Sequence, residues 1–169
     1  MCAFLEPITL YMTKDLYAAG DGEWQFSYPP PDQAMPLGEG PVYNQAANDL
    51  LIITFGNGVP MALRAARTIT AELQWNVRVV DLRWLAPLNA AFIVAQAKTA
   101  SRIIVLDEGR KSAGVGEGVI TAIVEGGLSS TPLRRVVGAD TFTPLAGAAL
   151  LVLPGEGDVV AAAHALAAS

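Results

Sequence analysis

Two glycine-containing stretches are the first places where this sequence could do chemistry. Gly56-Asn57-Gly58 lies between an apolar run and a helical pattern, and Gly114 and Gly116 flank Val115 after a later apolar run. Where a strand leads into a helix, backbone N–H groups can hold a phosphate or another anion. A dinucleotide fingerprint would need a third glycine where Met61 stands, so a tight turn is the simpler interpretation of the first stretch.

A second set of candidates is the charged stretch Asp107-Glu108-Gly109-Arg110-Lys111. Adjacent carboxylates could serve as general acid and base, or they could bind a hard cation. Neighbouring side chains of an extended chain point to opposite faces, however, and Arg110 and Lys111 would compete for the carboxylates. We therefore favour ion pairing at a subunit contact, with Glu108, Arg110 and the later Glu117 at the interface.

A third candidate is the stretch Asp81-Leu82-Arg83-Trp84-Leu85-Ala86-Pro87-Leu88. A spacing of two residues places Asp81 and Arg83 on the same side of a strand, which predicts a structural ion pair. Trp84 and Pro87 follow it directly. We expect Asp81, Arg83, Trp84 and Pro87 to lie at an interface with another subunit or partner.

The composition excludes several other functions. His164 is the only histidine, and we expect it to be exposed and inert on the last helix, which rules out a Ser-His-Asp triad within this chain. The single cysteine, Cys2, has no partner for a disulfide and no companions for a zinc site. A net charge of −5 with scattered basic residues argues against nucleic acid.

Apolar surface is in excess. Charged residues make up 16% of the chain, against about 25% in an average soluble protein. The excess predicts that another subunit or domain covers part of the surface. The longest late apolar run, 146–153, is far too short to span a bilayer, so we expect no membrane insertion and a cytoplasmic location.

From about residue 41, short apolar runs alternate with amphipathic stretches, which predicts an α/β sandwich with a mainly parallel sheet. The predicted strands are 50–55, 77–82, 102–106 and 133–137, and Pro41-Val42-Tyr43 adds an edge strand of undetermined direction. Pro60, Asn89, Gly116 and Asp158 mark the expected helix starts. The first forty residues differ: a short strand at 4–10 precedes a Gly, Pro and aromatic arm that we expect to lie on a protein surface.

Several of these stretches occur in the order seen in one family. Phe4-Leu5-Glu6-Pro7, Thr54-Phe55-Gly56-Asn57-Gly58, the stretch from Asp81 to Asn89, Asp107-Glu108-Gly109 and Leu153-Pro154 together resemble the beta subunit of the first component of 2-oxo acid dehydrogenases. The resemblance is to its carboxy-terminal, transketolase-type domain. It covers nearly the whole chain, and the Asp-Leu-Arg stretch is its most specific part.

The resemblance implies a three-layer α/β/α domain at 41–169, with a five-stranded mixed sheet whose first strand is antiparallel. Residues 1–40 would then be the end of a preceding pyrimidine-binding domain and a linker, leaving residues 1 to 12 without their sheet. In the family, other domains bind thiamine diphosphate and magnesium, and their motifs have no match here. The stretch 112–116 departs from the family's Thr-Gly-Gly-Phe-Gly, which leaves the contact made by that loop open.

The main hypothesis is a non-catalytic domain of a 2-oxo acid dehydrogenase that acts on pyruvate or branched-chain substrates. It would bind no cofactor itself. It would form a homodimer or part of a hetero-oligomer, and it would help to dock the acyltransferase component. The alternatives are a free-standing nucleotide- or anion-binding module that uses Gly56, Asn57, Gly58, Gly114 and Gly116, and the equivalent domain of a transketolase or a deoxyxylulose-phosphate synthase.

Overall fold

The computed structural model describes residues 2–169. Nine regular elements follow one another after an irregular amino-terminal segment. They are β1 (Val42–Tyr43), β2 (Leu50–Thr54), α1 (Gly58–Leu73), β3 (Val77–Asp81), α2 (Ala90–Ala97), β4 (Ile103–Arg110), α3 (Val115–Glu125), β5 (Leu133–Gly138) and α4 (Glu156–Ala167). Single 3-10 helices occupy Ile8–Leu10, Pro31–Gln33 and Ala146–Leu151.

The five strands form one sheet in the order β1-β3-β2-β4-β5. β1 runs antiparallel to β3, and all the other neighbouring strands are parallel. The predicted five-stranded mixed sheet with an antiparallel first strand is therefore confirmed. Parallel neighbours need crossover connections, which here are the helices that cover the sheet.

Alternation along the central strands divides the core into two layers. Leu50 and Ile52 point toward α1 and α4, whereas Leu51 and Ile53 point toward α2 and α3. All four side chains are at most 1% exposed. Because both faces are covered, the central strands are almost continuously apolar, and the three-layer α/β/α arrangement is confirmed.

α1 begins at Gly58, so Pro60 lies in its first turn as predicted, where a missing N–H costs no helical bond. The start of α4 differs from the prediction. At α4, Gly155 occupies the capping position and Asp158 is the third residue of the helix, accepting a hydrogen bond from the Gly155 N–H at 2.8 Å. The prediction that Asn89 caps α2 is confirmed by a 3.0 Å bond from the Phe92 N–H.

The structure also differs from the predictions for two strands. β4 extends to Arg110 rather than ending at Leu106, because the chain continues to pair with β5 across an irregularity between Asp107 and Arg110. The short strand predicted at 4–10 is wrong. Ile8–Leu10 form a 3-10 turn, in which the Leu10 N–H donates to the Pro7 carbonyl, since Pro7 cannot donate to a strand and no partner strand lies alongside.

The first part of the amino-terminal segment lies against the α/β layer, whereas Phe26 and Tyr28 of the predicted arm are largely exposed. Leu16 is 7% exposed, and its carbonyl accepts a bond from Arg64 of α1. The Arg67 guanidinium lies 5.1 Å from the centre of the Tyr17 ring, and Thr9 donates to Asn57 at 2.6 Å. The arm thus covers one end of α1 and the loop that precedes it.

One stretch among the described residues, Ala146–Ala167, is long and apolar enough to cross a membrane by length and composition. In the structure it is not one helix. A break around Pro154 and Gly155 separates the 3-10 helix from α4, and α4 contributes Val159 and Ala163 to the core. Its apolar residues are therefore partly accounted for by packing inside the domain.

The approach of α1 to β2 requires glycine at position 58, since a Cβ there would overlap the buried Thr54 Oγ1. We expect Gly58→Ala to lower the free energy of unfolding by about 1–3 kcal/mol, the usual cost of overpacking a core. Chemical denaturation measures this. Thr54→Ala removes the overlapping oxygen, so the double variant is expected to recover part of the loss, and Gly147→Ala, with open space around it, is the control. Equal losses at positions 58 and 147 would contradict the packing argument.

Candidate functional site

The predicted site residues gather at the carboxyl edge of the sheet, where β2, β3 and β4 end. In open α/β sheets this edge carries the ligand and interaction sites, because the loops that leave it are free to vary. Three features meet here: the loop after β2, the stretch after β3, and the bulged end of β4 with the start of α3.

Asp107 holds the third feature together. Its side chain is 3% exposed, and its two oxygens accept hydrogen bonds from the Gly109 N–H at 2.7 Å and the Gly116 N–H at 2.8 Å. The carboxylate thus occupies the amino end of α3, where the helix dipole favours negative charge. A Cβ at position 114 would lie 2.7 Å from Asp107 Oδ2, so glycine is required there for space.

Glu108 faces the opposite way, toward the loop after β2. Burial raises its pKa above the ordinary value, a hydrogen bond from Asn57 opposes the shift, and the nearby Asp107 adds to it. Asn57 in turn accepts the bond from Thr9. Asn57 therefore lies between Glu108 of β4 and Thr9 of the amino-terminal arm.

The predicted ion pair between Asp81 and Arg83 is confirmed, with 3.4 Å between Arg83 Nε and Asp81 Oδ2. Burial raises the pKa of Asp81, and the Arg83 charge partly opposes this. Arg83 and Pro87 are exposed, while Trp84 is half-buried. The stretch is therefore anchored at Asp81 and presents its later residues to solvent.

The stretch after β3 and the start of α3 are in contact. Leu85, Leu88 and Val115 pack on the same core layer, and a Cβ at Gly118 would lie 2.9 Å from Leu88 Cδ1. Glu117 pairs with Arg135 at 3.3 Å and accepts a bond from the Ala113 N–H. The structure thus brings the two predicted interface groups side by side.

Arg110 and Lys111 do not bind Asp107 or Glu108 as expected. Among residues 2–169, neither basic residue forms an ion pair with these carboxylates, because Asp107 is buried against backbone N–H groups and Glu108 faces Asn57. Arg110 and Lys111 instead lie near Asp140 and lower its pKa, after the larger effect of the Ser112 hydrogen bond. His164 is exposed, as predicted, and its Nε2 lies 2.8 Å from Glu72 Oε2.

The glycine-containing loops offer few free donors for an anion. The Gly58 and Val59 N–H groups bond the carbonyls of Phe55 and Gly56 within the turn, and the Gly116 N–H is taken by Asp107. Gly56 adopts a φ of +56°, which explains the glycine there without a ligand. Across the described residues, no group of three or more His, Cys, Asp or Glu side chains could hold a metal ion.

The roles of two polar residues were not predicted. Asp107 belongs to the charged stretch that we expect at a subunit contact, but in the structure it is buried and accepts bonds from the Gly109 and Gly116 N–H groups. Arg78, in the second position of β3, is only 4% exposed and stands in an otherwise apolar strand. Its neighbours Val77 and Val79 gave no reason to expect a buried cation.

The topology defines a class: a helix-covered, mainly parallel sheet with an antiparallel first strand and its loops gathered at one edge. Residues 38–155 match the family described as "Transketolase, C-terminal domain". The chain belongs to this family, which confirms the resemblance noted from its motifs.

Two curated relatives are named as beta subunits of dehydrogenases. The chain is 34% identical over 115 residues to the pyruvate dehydrogenase E1 component subunit beta of Staphylococcus aureus strain Mu50, which covers 67% of this chain and 35% of the relative. It is 36% identical over 122 residues to the 3-methyl-2-oxobutanoate dehydrogenase subunit beta of Mycobacterium tuberculosis strain CDC 1551, covering 71% of this chain and 35% of the relative. It thus spans about a third of these proteins.

A solved structure described as "Split gene transketolase, inactive beta4 tetramer" superimposes with a TM-score of 0.67. It is 29% identical and covers 81% of this chain and 44% of that one. The chain is therefore a transketolase C-terminal domain that resembles the beta subunits of 2-oxo acid dehydrogenases.

Asp107 is expected to be a structural residue. Replacing it with Asn turns one acceptor into a donor that faces a backbone N–H, so Asp107→Asn should lower the free energy of unfolding by about 1–3 kcal/mol. Denaturation in urea measures the change. Asp32→Asn, at an exposed position, is the control. If both variants unfold at the same urea concentration as the unmodified chain, Asp107 does not hold α3.

Glu108 is expected to make stability depend on pH. Since its pKa is raised in the folded chain, the folded state keeps this proton after the unfolded state has released it. Stability should then fall as pH rises from the ordinary value of 4.5 through the raised value. Glu108→Gln should flatten this part of a stability curve measured from pH 4 upward, whereas Glu125→Gln, on the exposed surface of α3, is the matched control.

Proposed function

We propose that this chain is the non-catalytic assembly domain of a thiamine-diphosphate-dependent 2-oxo acid dehydrogenase. In this role it forms subunit contacts and helps to dock the acyltransferase component, while other domains carry out the oxidative decarboxylation of pyruvate or a branched-chain 2-oxo acid. The similarity to beta subunits named for those two substrates supports the enzyme class. Residues 41–169 would be this domain, and residues 1–40 would be the end of a preceding domain and its linker.

Exposed apolar side chains carry the proposal of an assembly role. Phe142, Leu145, Leu150 and Leu151 are each at least 81% exposed, on the segment that follows β5. Phe4, Leu5, Ile8 and Met12 of the arm are exposed to a similar degree. Exposed apolar surface does not stabilise an isolated domain, whereas a subunit contact would bury this surface.

The carboxyl edge fits a contact surface better than a cofactor site. Thiamine diphosphate and magnesium would need free N–H groups for the diphosphate and a cluster of hard ligands for the metal. At this edge the first N–H groups of α1 and Gly116 of α3 already have acceptors, and the described residues hold no metal-binding cluster. The proposal therefore assigns the cofactor to other domains of the enzyme, which we place in the cytoplasm.

A second candidate stays within the family. The split-gene transketolase matches a larger share of this chain than either dehydrogenase subunit does. An equivalent domain of a transketolase or a deoxyxylulose-phosphate synthase would use the same surfaces for assembly. Its partner subunits would differ, and binding of a purified acyltransferase component distinguishes the two enzymes.

The expected contact residues lie on two neighbouring segments: Asp81, Arg83, Trp84 and Pro87 on one, and Glu108, Arg110 and Glu117 on the other. We expect the chain to self-associate, and Arg83→Glu combined with Arg110→Glu to shift it toward monomer, because both side chains are exposed and flank the same contact. Light scattering over a range of concentrations measures the mass. Arg134→Glu, exposed on β5, is the control. A chain that is monomeric at every concentration would contradict self-assembly.

A further inference from the structure

A cleft lies at the opposite, amino edge of the sheet, away from the proposed contact surface. It has a volume of about 360 Å³ and lies between the segment that precedes β2 and the end of α2. Its lining consists of Gln45, Ala46, Ala47, Asn48, Arg78, Ala95, Gln96 and Thr99. The volume falls at the lower end of the range for small-molecule sites.

Arg78 forms the charged part of this cleft. The side chains of Leu51, Ile53 and Val80 point to the same side of the sheet and build the core under α2 and α3. Arg78 takes the corresponding position at the amino end of β3 and is 4% exposed. A cation therefore stands where the strand pattern otherwise places an aliphatic side chain.

The groups that bind Arg78 are all neutral. Nη2 donates to the Gln96 carbonyl at 2.8 Å and to the Thr99 hydroxyl at 2.9 Å. Nη1 makes only a long bond of 3.4 Å to the Gln45 carbonyl, and Nε is buried without an acceptor among the described residues. No aspartate or glutamate lines the cleft, and none of the ion pairs within residues 2–169 involves Arg78.

The end of α2 compensates only part of this charge. A helix carboxyl end carries roughly −0.5 of an elementary charge, and Arg78 bonds the Gln96 carbonyl at that end. A guanidinium carries a full positive charge, and none of the ion pairs among the described residues supplies a carboxylate to it. Burial of the uncompensated part is costly, and it lowers the pKa of Arg78.

We infer that the cleft binds a small oxyanion, a carboxylate or phosphate group carried by a small molecule, with Arg78 as its counterion. Nε, which has no acceptor among the described residues, and Nη1, whose bond to Gln45 is long, are the donors left for the anion. Gln45, Asn48 and Gln96 line the same cleft, and a side-chain amide is a neutral donor that an anion can use. This inference is independent of the proposed assembly role, since it concerns the other edge of the sheet.

Titration of the full chain with sodium phosphate and, separately, with sodium acetate tests the inference at constant ionic strength. Amide chemical shifts report the site. We expect saturable changes at Gln45, Asn48, Gln96 and Thr99, and a rise in Tm on the order of 5 °C at about a hundred times the dissociation constant. Saturation by only one of the two anions supports the inference and identifies the class.

Two variants separate a specific site from general charge effects. Arg78→Met removes the cation and should abolish saturation, while Arg102→Met removes a charge from the same edge of the sheet and should leave binding unchanged. The shift map of the unmodified chain remains decisive if Arg78→Met does not fold. Changes that rise linearly with either anion, or that appear away from the cleft, would overturn the inference.

Discussion

The buried carboxylate of Asp107 is the constraint on which the carboxyl edge of the sheet depends. It fixes the end of β4 to the start of α3 through two backbone N–H groups, in a space that leaves no room for a side chain at Gly109 or Gly114. α3 in turn supports the stretch after β3 through Leu88. The arrangement of the loops at this edge therefore depends on one internal anion at a helix end.

This arrangement gives a physical reason why a nucleotide-like sequence pattern need not indicate a nucleotide site. Glycines at a strand-to-helix junction permit close approach to a negative group, and the sequence pattern is the same whether that group is a ligand or a side chain. Here the side chain is Asp107, which precedes Gly109 by two residues. The distinction depends on where a single carboxylate points, and only the structure shows that.

The fold was predictable because its signals are local and repeated. Almost continuously apolar strands, the capping residue Asn89 and the glycines after Glu125 each specify a boundary within a few residues. The direction of β1 and the bulged extension of β4 depend on pairing across the sheet, so residues near Val42 and Asp107 do not encode them alone. Arg78 escaped prediction for the same reason: its acceptors come from α2 and from the segment before β2.

The two outer strands of the sheet, β1 and β5, restrict how other chains can extend it. β1 has two residues and follows Pro41, while β5 carries adjacent arginines at 134 and 135. A short strand next to a proline offers almost no ladder of hydrogen bonds, and charged side chains oppose the pairing of a second copy along β5. A continuous sheet that crosses a subunit boundary is thus disfavoured. A neighbouring subunit must instead recognise this domain through side chains. Evolution can change these side chains without disturbing the backbone.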